Sequence, residues 1–229
     1  MTGYLFPPRP QPSLPFEGRA DRFPVARIFC VGRNYAEHAA EMGNEVDRSA
    51  PFYFTKSCHH LARSGGTVAY PPGTSDFHHE VELVVAIGAP AFLIDRGQAP
   101  SVVAGYAVGL DMTRRDLQAA SKDRRRPWDM AKDVEQSAIV GALALPPGFD
   151  PNGPHDLTLT VNGVPRQSGR LSDMVWRVDE IVAHLSTLYH LAPGDLIFTG
   201  TPAGVGPVRP GDRLSGRVSG LPRVETRIG

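Results

Sequence analysis

The chain has 229 residues, of which 41% are hydrophobic and 21% charged, and its 24 basic side chains balance 24 acidic ones. The zero net charge argues against nucleic acid as the main partner and against a polybasic membrane anchor. No run approaches the roughly 18 apolar residues that a membrane-spanning helix needs. Two cysteines are too few for a disulfide framework, and the N-terminus lacks a signal-peptide pattern, so we expect a cytoplasmic protein.

Glycine and proline are the distinctive part of the composition, with 24 and 22 residues. So many turn-forming residues beside an ordinary apolar fraction predict short strands joined by turns, and therefore a mainly β fold with some α-helix. Six prolines fall within residues 1–24, which predicts an extended N-terminal strap on the main body. The even composition of residues 25–229 predicts a single domain there.

Apolar patterns predict the elements of the chain in order. The first half has predicted strands at 27–31, 80–87 and 102–110, and predicted helices at 35–42, ended by Gly43, and at 113–121. In the second half, residues 157–161 and 164–167 flank Asn162-Gly163, a hairpin signal because both turn positions need a positive φ. A helix at 178–189, a strand at 196–199 and one or two closing strands at 213–228 complete the prediction.

Two acidic residues interrupt the apolar strand predicted at 80–87. Glu80 and Glu82 lie two positions apart, so both carboxylates point to the same face of the strand. A hard divalent cation such as Mg²⁺, Mn²⁺ or Ca²⁺ would offset the cost of this arrangement, and Asp111, after the next strand, would complete the site. A solvated edge for the glutamates and a helix N-cap for Asp111 fit the periodicity equally well. The histidines lack the ligand spacing typical of zinc sites.

Polar residues that follow Asp111 have a helical spacing. Asp111, Arg115 and Gln118 would share one face of a helix that begins near Asp111. A cation and an amide beside a metal site suit a substrate carboxylate or carbonyl, although a surface salt bridge is the commoner role of an isolated Asp–Arg pair.

His38 and Glu41 lie three residues apart on the helix predicted at 35–42. A carboxylate that orients a histidine makes it a better general base for water, whereas a solvent-facing pair is the commoner interpretation of such spacing. Lys56 and Lys132 are compatible with surface positions. The basic run at 122–126 predicts a solvated loop, or alternatively a patch that steers an anionic substrate.

Four motifs follow one another along the chain. They are Val31-Gly32-Arg33-Asn34-Tyr35 with His38 and Glu41, His79-Glu80-Val81-Glu82-Leu83, Gly109-Leu110-Asp111-Met112-Thr113, and Thr199-Gly200-Thr201-Pro202-Ala203-Gly204-Val205-Gly206. In this combination, the sequence from residue 25 to residue 220 resembles the fumarylacetoacetate hydrolase family. Segments 70–72, 77–80 and 124–132 are most similar to its fumarylpyruvate hydrolase branch.

The resemblance implies a mixed β-sandwich roll with short flanking helices, assembled as a homodimer. It implies a divalent metal, Mg²⁺ or Mn²⁺ with Ca²⁺ as a further candidate, on Glu80, Glu82 and Asp111. It also implies a water-activating dyad of His38 and Glu41 on a lid over the substrate, and a catalytic lysine at Lys132. By the same matching, the substrate-binding positions are Arg33, Arg115, Gln118 and Thr201.

On this resemblance we expect a metal-dependent hydrolase that cleaves a carbon–carbon bond of a 2,4-diketo acid. Fumarylpyruvate or a similar acylpyruvate would give pyruvate and a carboxylic acid, with His38 deprotonating the attacking water and Lys132 stabilising the oxyanion. The same metal site suits an oxaloacetate decarboxylase or a 2-oxo-acid hydratase, isomerase or tautomerase. A non-catalytic, metal-stabilised binding protein is the alternative of another class, and a His38–Glu41 base argues against it.

One segment departs from the family pattern. Where the family commonly has Lys-Pro after the aromatic strand, Lys56 is followed here by Ser57-Cys58-His59-His60. A polar, bulkier loop thus replaces a proline-fixed one, and we expect the pocket wall near the far end of the substrate to differ. No role is assigned to Cys58, His59 or His60.

Overall fold

The computed structural model describes residues 3–41, 43 and 47–229. Strands account for 37% of the chain and helices for 19%, which confirms the predicted mainly β fold. The strands are β1 (Ser13–Pro15), β2 (Arg22–Pro24), β3 (Arg27–Gly32), β4 (Phe52–Lys56), β5 (Leu61–Arg63), β6 (Thr67–Val68), β7 (Phe77–His79), β8 (Val81–Ile87), β9 (Val103–Asp111), β10 (Thr113–Arg114), β11 (Ala138–Val140), β12 (Asp156–Val161), β13 (Val164–Arg170), β14 (Asp195–Phe198), β15 (Gly206–Pro207), β16 (Arg213–Val218) and β17 (Val224–Ile228). The helices are α1 (Ala36–Glu41), α2 (Ala99–Val102), α3 (Arg115–Asp123), α4 (Asp129–Lys132) and α5 (Val178–Leu188).

Two larger sheets form the body of the protein. A seven-stranded mixed sheet has the order β4-β3-β14-β8-β9-β11-β5, and a five-stranded sheet has the order β13-β12-β16-β17-β6. Their facing sides share one core, in which Val81 and Leu83 of the first sheet pack with Leu157 and Leu214 of the second. This packed pair of sheets with short helices confirms the sandwich-type fold that the resemblance implies.

Strand β8 lies in the middle of the seven-stranded sheet and is buried on both faces. Its odd-numbered residues, such as Leu83 and Val85, enter the core between the sheets. Val84 and Ala86 enter a second core on the opposite face. Glu82 belongs to this second face by the period of two, so its carboxylate is held inside the protein and not at a solvated edge.

The N-terminal segment covers part of the second core. Strands β1 and β2 pair antiparallel, and Leu14 of β1 is fully buried in that core. The Glu17 N–H also donates to the Leu143 carbonyl at 2.7 Å, which ties the segment to the chain after β11.

Several predicted elements are confirmed with small changes of boundary. Asn162 and Gly163 both have positive φ, 53° and 77°, at the turn between β12 and β13, as the hairpin prediction requires. The closing segment forms two strands, β16 and β17. Met42, the last residue of the first predicted helix, lies outside the described residues. Of the helices in the described part of the chain, none is long and apolar enough to cross a membrane.

The helix predicted at 113–121 is wrong at its start. Thr113 and Arg114 form the short strand β10, in which Thr113 pairs with His78, and helix α3 begins only at Arg115. Strand β9 runs through Asp111, so the predicted helical face of Asp111, Arg115 and Gln118 does not exist. Pairing with a distant strand here outweighs the local helical pattern.

Candidate active site

Three buried carboxylates meet where β8 begins and β9 ends. The two strands pair antiparallel, with Glu82 opposite Gly109, and the Asp111 N–H donates to the Glu80 carbonyl at 2.9 Å. One oxygen from each of Glu80, Glu82 and Asp111 lies within 4.8 Å of the others. The three residues are at most 4% exposed. The structure therefore brings together the three residues that the sequence predicts as metal ligands.

Three cations contact this cluster. Lys132 Nζ lies 2.9 Å from Glu80 Oε2 and 2.7 Å from Asp111 Oδ2. Arg115 pairs with Glu80 Oε1, and Lys56 Nζ lies 2.8 Å from Asp111 Oδ1. The surface salt bridge between Asp111 and Arg115, considered as an alternative from the spacing, does not form, because Arg115 begins a new helix and faces Glu80.

The two glutamates have opposite electrostatic environments. Burial opposes ionisation of Glu80, but Lys132 and Arg115 hold the pKa of this carboxyl well below its usual range. Burial, followed by the charges of Asp111 and Glu80, raises the pKa of Glu82 well above its usual range. Glu82 accepts a hydrogen bond from the Gly200 N–H at 2.7 Å. Gly200 has φ +96°, and a Cβ there would lie 2.7 Å from that of Asn34, so the approach requires glycine.

The donor set fits a hard divalent cation. Asp111 Oδ1 is buried without a hydrogen-bond donor, because Lys56 Nζ approaches it outside hydrogen-bonding geometry. Glu82 accepts a hydrogen bond from the Gly200 N–H, and burial beside two other carboxylates raises its pKa. Clustered carboxylate oxygens with these properties are the ligands that Mg²⁺ and Mn²⁺ prefer.

His38 lies on α1 beside the cluster and is 8% exposed. Its Nδ1 is 3.3 Å from Glu41 Oε2, and Glu41 also accepts a hydrogen bond from the Gly204 N–H at 3.2 Å. Burial lowers the pKa of His38, although the charge of Glu80 and the contact with Glu41 oppose this effect. A buried neutral imidazole held by a carboxylate is suited to accept a proton. That His38 and Glu41 belong to a lid over the substrate stays a prediction.

A single cavity collects most of the predicted site residues. Its walls include His38, Glu80, Glu82, Lys132 and the four predicted substrate-binding residues Arg33, Arg115, Gln118 and Thr201. Arg115 Nη1 donates to Gln118 Oε1 at 2.5 Å, so the two side chains act as one unit on α3. Thr201 donates to the Val81 carbonyl at 2.8 Å, which fixes the loop after β14 to the start of β8.

Lys56 is a site residue that the sequence interpretation missed. It is 3% exposed, and its Nζ donates to the Met112 carbonyl at 3.1 Å, to Ser137 Oγ at 2.9 Å and to the Lys132 carbonyl. The alternation of side chains along β4 could have indicated this role in the sequence, because it places Lys56 on the same inward face as Phe54. Lys132, for which a surface position was also considered, is buried as well.

The segment at 57–60 contacts Asp133 and does not line the site cavity, contrary to the expected change in the pocket wall. The Ser57 N–H donates to Asp133 Oδ1 at 2.7 Å, and His60 Nδ1 lies 2.6 Å from the same oxygen. Ser57 follows Lys56 and Asp133 follows Lys132, so these bonds connect the two buried lysines through their neighbours in the sequence.

Known proteins resemble this chain in sequence and in structure. A fumarylpyruvate hydrolase of Ralstonia sp. is 49% identical over 82% of this chain and 98% of its own length. A mitochondrial oxaloacetate tautomerase of Arabidopsis thaliana is 40% identical over 87% of this chain and 89% of its own. The crystal structure of fumarylpyruvate hydrolase from Pseudomonas aeruginosa in complex with Mn²⁺ and pyruvate has a TM-score of 0.93 and 43% identity, and covers 99% of both chains. Residues 27–229 match the family described as fumarylacetoacetate (FAA) hydrolase C-terminal. The chain therefore belongs to the fumarylacetoacetate hydrolase family.

Proposed function

We propose that this protein is a metal-dependent hydrolase that cleaves a carbon–carbon bond of an acylpyruvate, with fumarylpyruvate as the substrate. The observation that carries the proposal is the buried cluster of Glu80, Glu82 and Asp111 in one site with His38. The similarity to two fumarylpyruvate hydrolases, one of them in complex with Mn²⁺ and pyruvate, supports the choice of substrate and metal.

The charges of the cluster favour an anionic substrate. When all three carboxylates are ionised, as a bound cation would require, their charge is balanced by the three cations Lys56, Lys132 and Arg115. A divalent cation on Glu80, Glu82 and Asp111 would bring two uncompensated positive charges into a low-dielectric cavity. A 2,4-diketo acid with a second carboxylate supplies two negative charges, and so matches this excess.

The bound cation would orient the 2-oxo acid end of the substrate and act as a Lewis acid there. His38 Nδ1 faces Glu41, so Nε2 is the nitrogen left to take a proton from water. The resulting hydroxide attacks the C4 carbonyl, and Lys132, which uses two N–H groups on Glu80 and Asp111, has a third for the oxyanion. The C3–C4 bond then breaks, pyruvate leaves as its enolate and is protonated at C3, and the other product is fumarate.

A second candidate is an oxaloacetate tautomerase, which the similarity to the Arabidopsis enzyme favours. An oxaloacetate decarboxylase and a 2-oxo-acid hydratase or isomerase would use the same carboxylate cluster. Tautomerisation, isomerisation and decarboxylation do not consume water, so the His38–Glu41 pair favours hydrolysis or hydration over them. A metal-stabilised binding protein without activity would need no such base.

The test uses purified protein with Mg²⁺ or Mn²⁺ and synthetic fumarylpyruvate. We expect the diketo-acid absorbance to disappear and fumarate and pyruvate to form in equal amounts, and we expect His38→Ala to slow this reaction about 100-fold or more. Wild-type protein that leaves the absorbance unchanged would refute the hydrolase proposal. Interconversion of the keto and enol forms of oxaloacetate alone would establish the tautomerase instead, and release of carbon dioxide from oxaloacetate would establish a decarboxylase.

A further inference from the structure

A second cavity opens beside the active-site cavity. It has a volume of about 770 Å³, and four residues, Arg33, Phe54, Lys122 and Trp128, line both cavities. These four residues form a common wall, which we call the shared wall. The shared wall is therefore a path along which a substrate that is held at the carboxylate cluster and is longer than pyruvate can extend toward the second cavity.

Aromatic rings give the shared wall and its surroundings an apolar surface. The ring centroids of Phe54 and Trp128 lie 6.0 Å apart, and those of Phe52 and Trp128 lie 4.9 Å apart. The rings are inclined to one another by 53° and 67°, so they present both faces and edges as apolar contacts for the carbon chain of a substrate.

Cations dominate the same region. The second cavity is lined by Arg33, Lys122, Arg125 and Arg126 but by a single acid, Asp129. Among the ion pairs of the described residues, none includes these four cations. An unpaired group of like charges is an anion-binding environment.

Lys122 is the cation best placed to contact a substrate. It is half-buried on α3, with Nζ 5.5 Å from the Trp128 ring centroid, and it lines both cavities. Burial, and then the charges of Arg115 and Arg33, lower the pKa of Lys122, so a neighbouring anion would stabilise its charged form. Arg33 is more exposed, and its Cζ lies 5.9 Å from the Phe52 ring centroid. The pKa of Asp47 is lowered mainly by hydrogen bonds from Ser49, and the charge of Arg33 contributes a smaller part of this effect.

We propose that Lys122, assisted by Arg33, binds a carboxylate at the end of the acyl group, so that the enzyme selects acylpyruvates whose second product is a dicarboxylic acid. This inference rests on the proposed function, because it places the 2-oxo acid end at the carboxylate cluster. The rings of Phe54 and Trp128 contact the chain between the two ends. The acyl carboxylate lies among the cations that line the second cavity.

The test compares two substrates that differ only at the acyl end: fumarylpyruvate, and the analogue in which a methyl group replaces the terminal carboxylate. We expect wild-type protein with Mn²⁺ to favour fumarylpyruvate in kcat/KM, mainly through a lower KM. Lys122→Gln should reduce this preference about tenfold or more, as expected for a lost charge-assisted hydrogen bond. Lys122→Arg should restore most of the preference. Arg124→Gln, the same charge change at an exposed residue that does not line the cavity, is the control.

A preference that is unchanged in Lys122→Gln, or that falls equally in Arg124→Gln, would overturn the assignment. A binding measurement separates this failure from failure of the proposed function. Calorimetry with fumarate and with crotonate, which has a methyl group in place of one carboxylate, needs no turnover. We expect fumarate to bind more tightly to the wild type, and the difference to shrink in Lys122→Gln. Equal binding of both acids to the wild type would overturn the inference even if hydrolysis is observed.

Discussion

At the scale of single residues, the site depends on charged groups that are costly to bury. Glu80 is paired with Lys132 and Arg115, whereas the ionisation of Glu82 is opposed by burial and by the charges of Asp111 and Glu80. Within the described residues, the hydrogen-bond donor to Glu82 is the Gly200 N–H. Arrangements of this kind are found at functional sites, because a ligand supplies the missing stabilisation. Glu82 is therefore the residue whose properties depend most directly on a bound cation.

We expect Glu82→Gln to weaken Mn²⁺ binding strongly without lowering the stability of the metal-free protein. Glutamine keeps the volume and an oxygen for the Gly200 N–H, but it removes a negative charge that the cation needs. Calorimetric titration with Mn²⁺, together with thermal melting in chelator, checks both parts. The control is Glu225→Gln, the same substitution on the exposed face of β17. Gln167→Glu would not serve as a control, because it adds a charge at another buried site. Wild-type affinity in Glu82→Gln, or full activity in chelator, would contradict the metal assignment.

The pH dependence of activity should reflect His38. Burial disfavours the imidazolium form, so the pKa of His38 lies below the ordinary value of 6.5 and the neutral base predominates above it. We expect kcat/KM to fall as pH decreases through this lowered pKa, with an acid limb centred below pH 6.5. Because the contact with Glu41 raises the pKa of His38, Glu41→Gln should move the acid limb to still lower pH and reduce kcat. A limb that moves to higher pH in this variant would contradict the assigned dyad.

At the scale of elements, the position of each site residue depends on how strands and helices meet. The hairpin at Asn162-Gly163 was predictable because a two-residue turn is specified locally. The shared face of Glu80 and Glu82 was predictable from strand alternation. The pairing of Arg115 with Glu80 was not, because it depends on strand β10 ending the extended chain at Arg114, a consequence of contact with β7. The burial of Lys56 likewise depends on α4, which is distant in sequence.

The contacts of Asp133 should hold the two buried lysines in place. Asp133→Ala removes acceptors from the Ser57 N–H and from His60, and we expect it to lower the free energy of unfolding by about 1–2 kcal/mol. Denaturant unfolding measures this change, and Glu135→Ala at a neighbouring exposed position is the control.

Ser57→Pro gives a second version of this test, because proline removes the N–H that donates to Asp133 but leaves Asp133 itself in place. It also removes the hydroxyl that accepts from the His59 N–H, so Ser57→Ala is the matched control. We expect a smaller loss of stability than in Asp133→Ala, accompanied by a lower kcat as Lys56 and Lys132 shift. If both Asp133→Ala and Ser57→Pro keep the stability and the kcat of the wild type, the contacts of Asp133 do not position the lysines.

At the scale of the whole molecule, the site is built against a sheet that has a core on each face. The second core depends on the N-terminal segment, since Leu14 is fully buried against residues that include Val84 and Phe198. The sequence predicted an extended strap from its prolines, but it gave no indication that one leucine of this strap enters a core. The division into a strap at 1–24 and a domain at 25–229 stays a prediction, as do the homodimer and the cytoplasmic location.

If the strap is part of the folding unit, Leu14→Ala should destabilise the whole protein. A fully buried leucine truncated to alanine costs about 2–5 kcal/mol, and we expect a single unfolding transition shifted by an amount in this range. Leu5→Ala, at an exposed position of the same segment, is the control. A loss of well under 1 kcal/mol, roughly the effect of a surface substitution, would show that the strap is only loosely attached.

The most direct test of the whole account is a crystal structure of the protein with Mn²⁺ and oxalate, which mimics the enolate of pyruvate. We predict an anomalous-scattering peak for one Mn²⁺ ion bound by oxygens of Glu80, Glu82 and Asp111, with oxalate chelating the same ion in the cavity that His38 and Lys132 line. An ion bound elsewhere, or oxalate bound away from these carboxylates, would contradict the account.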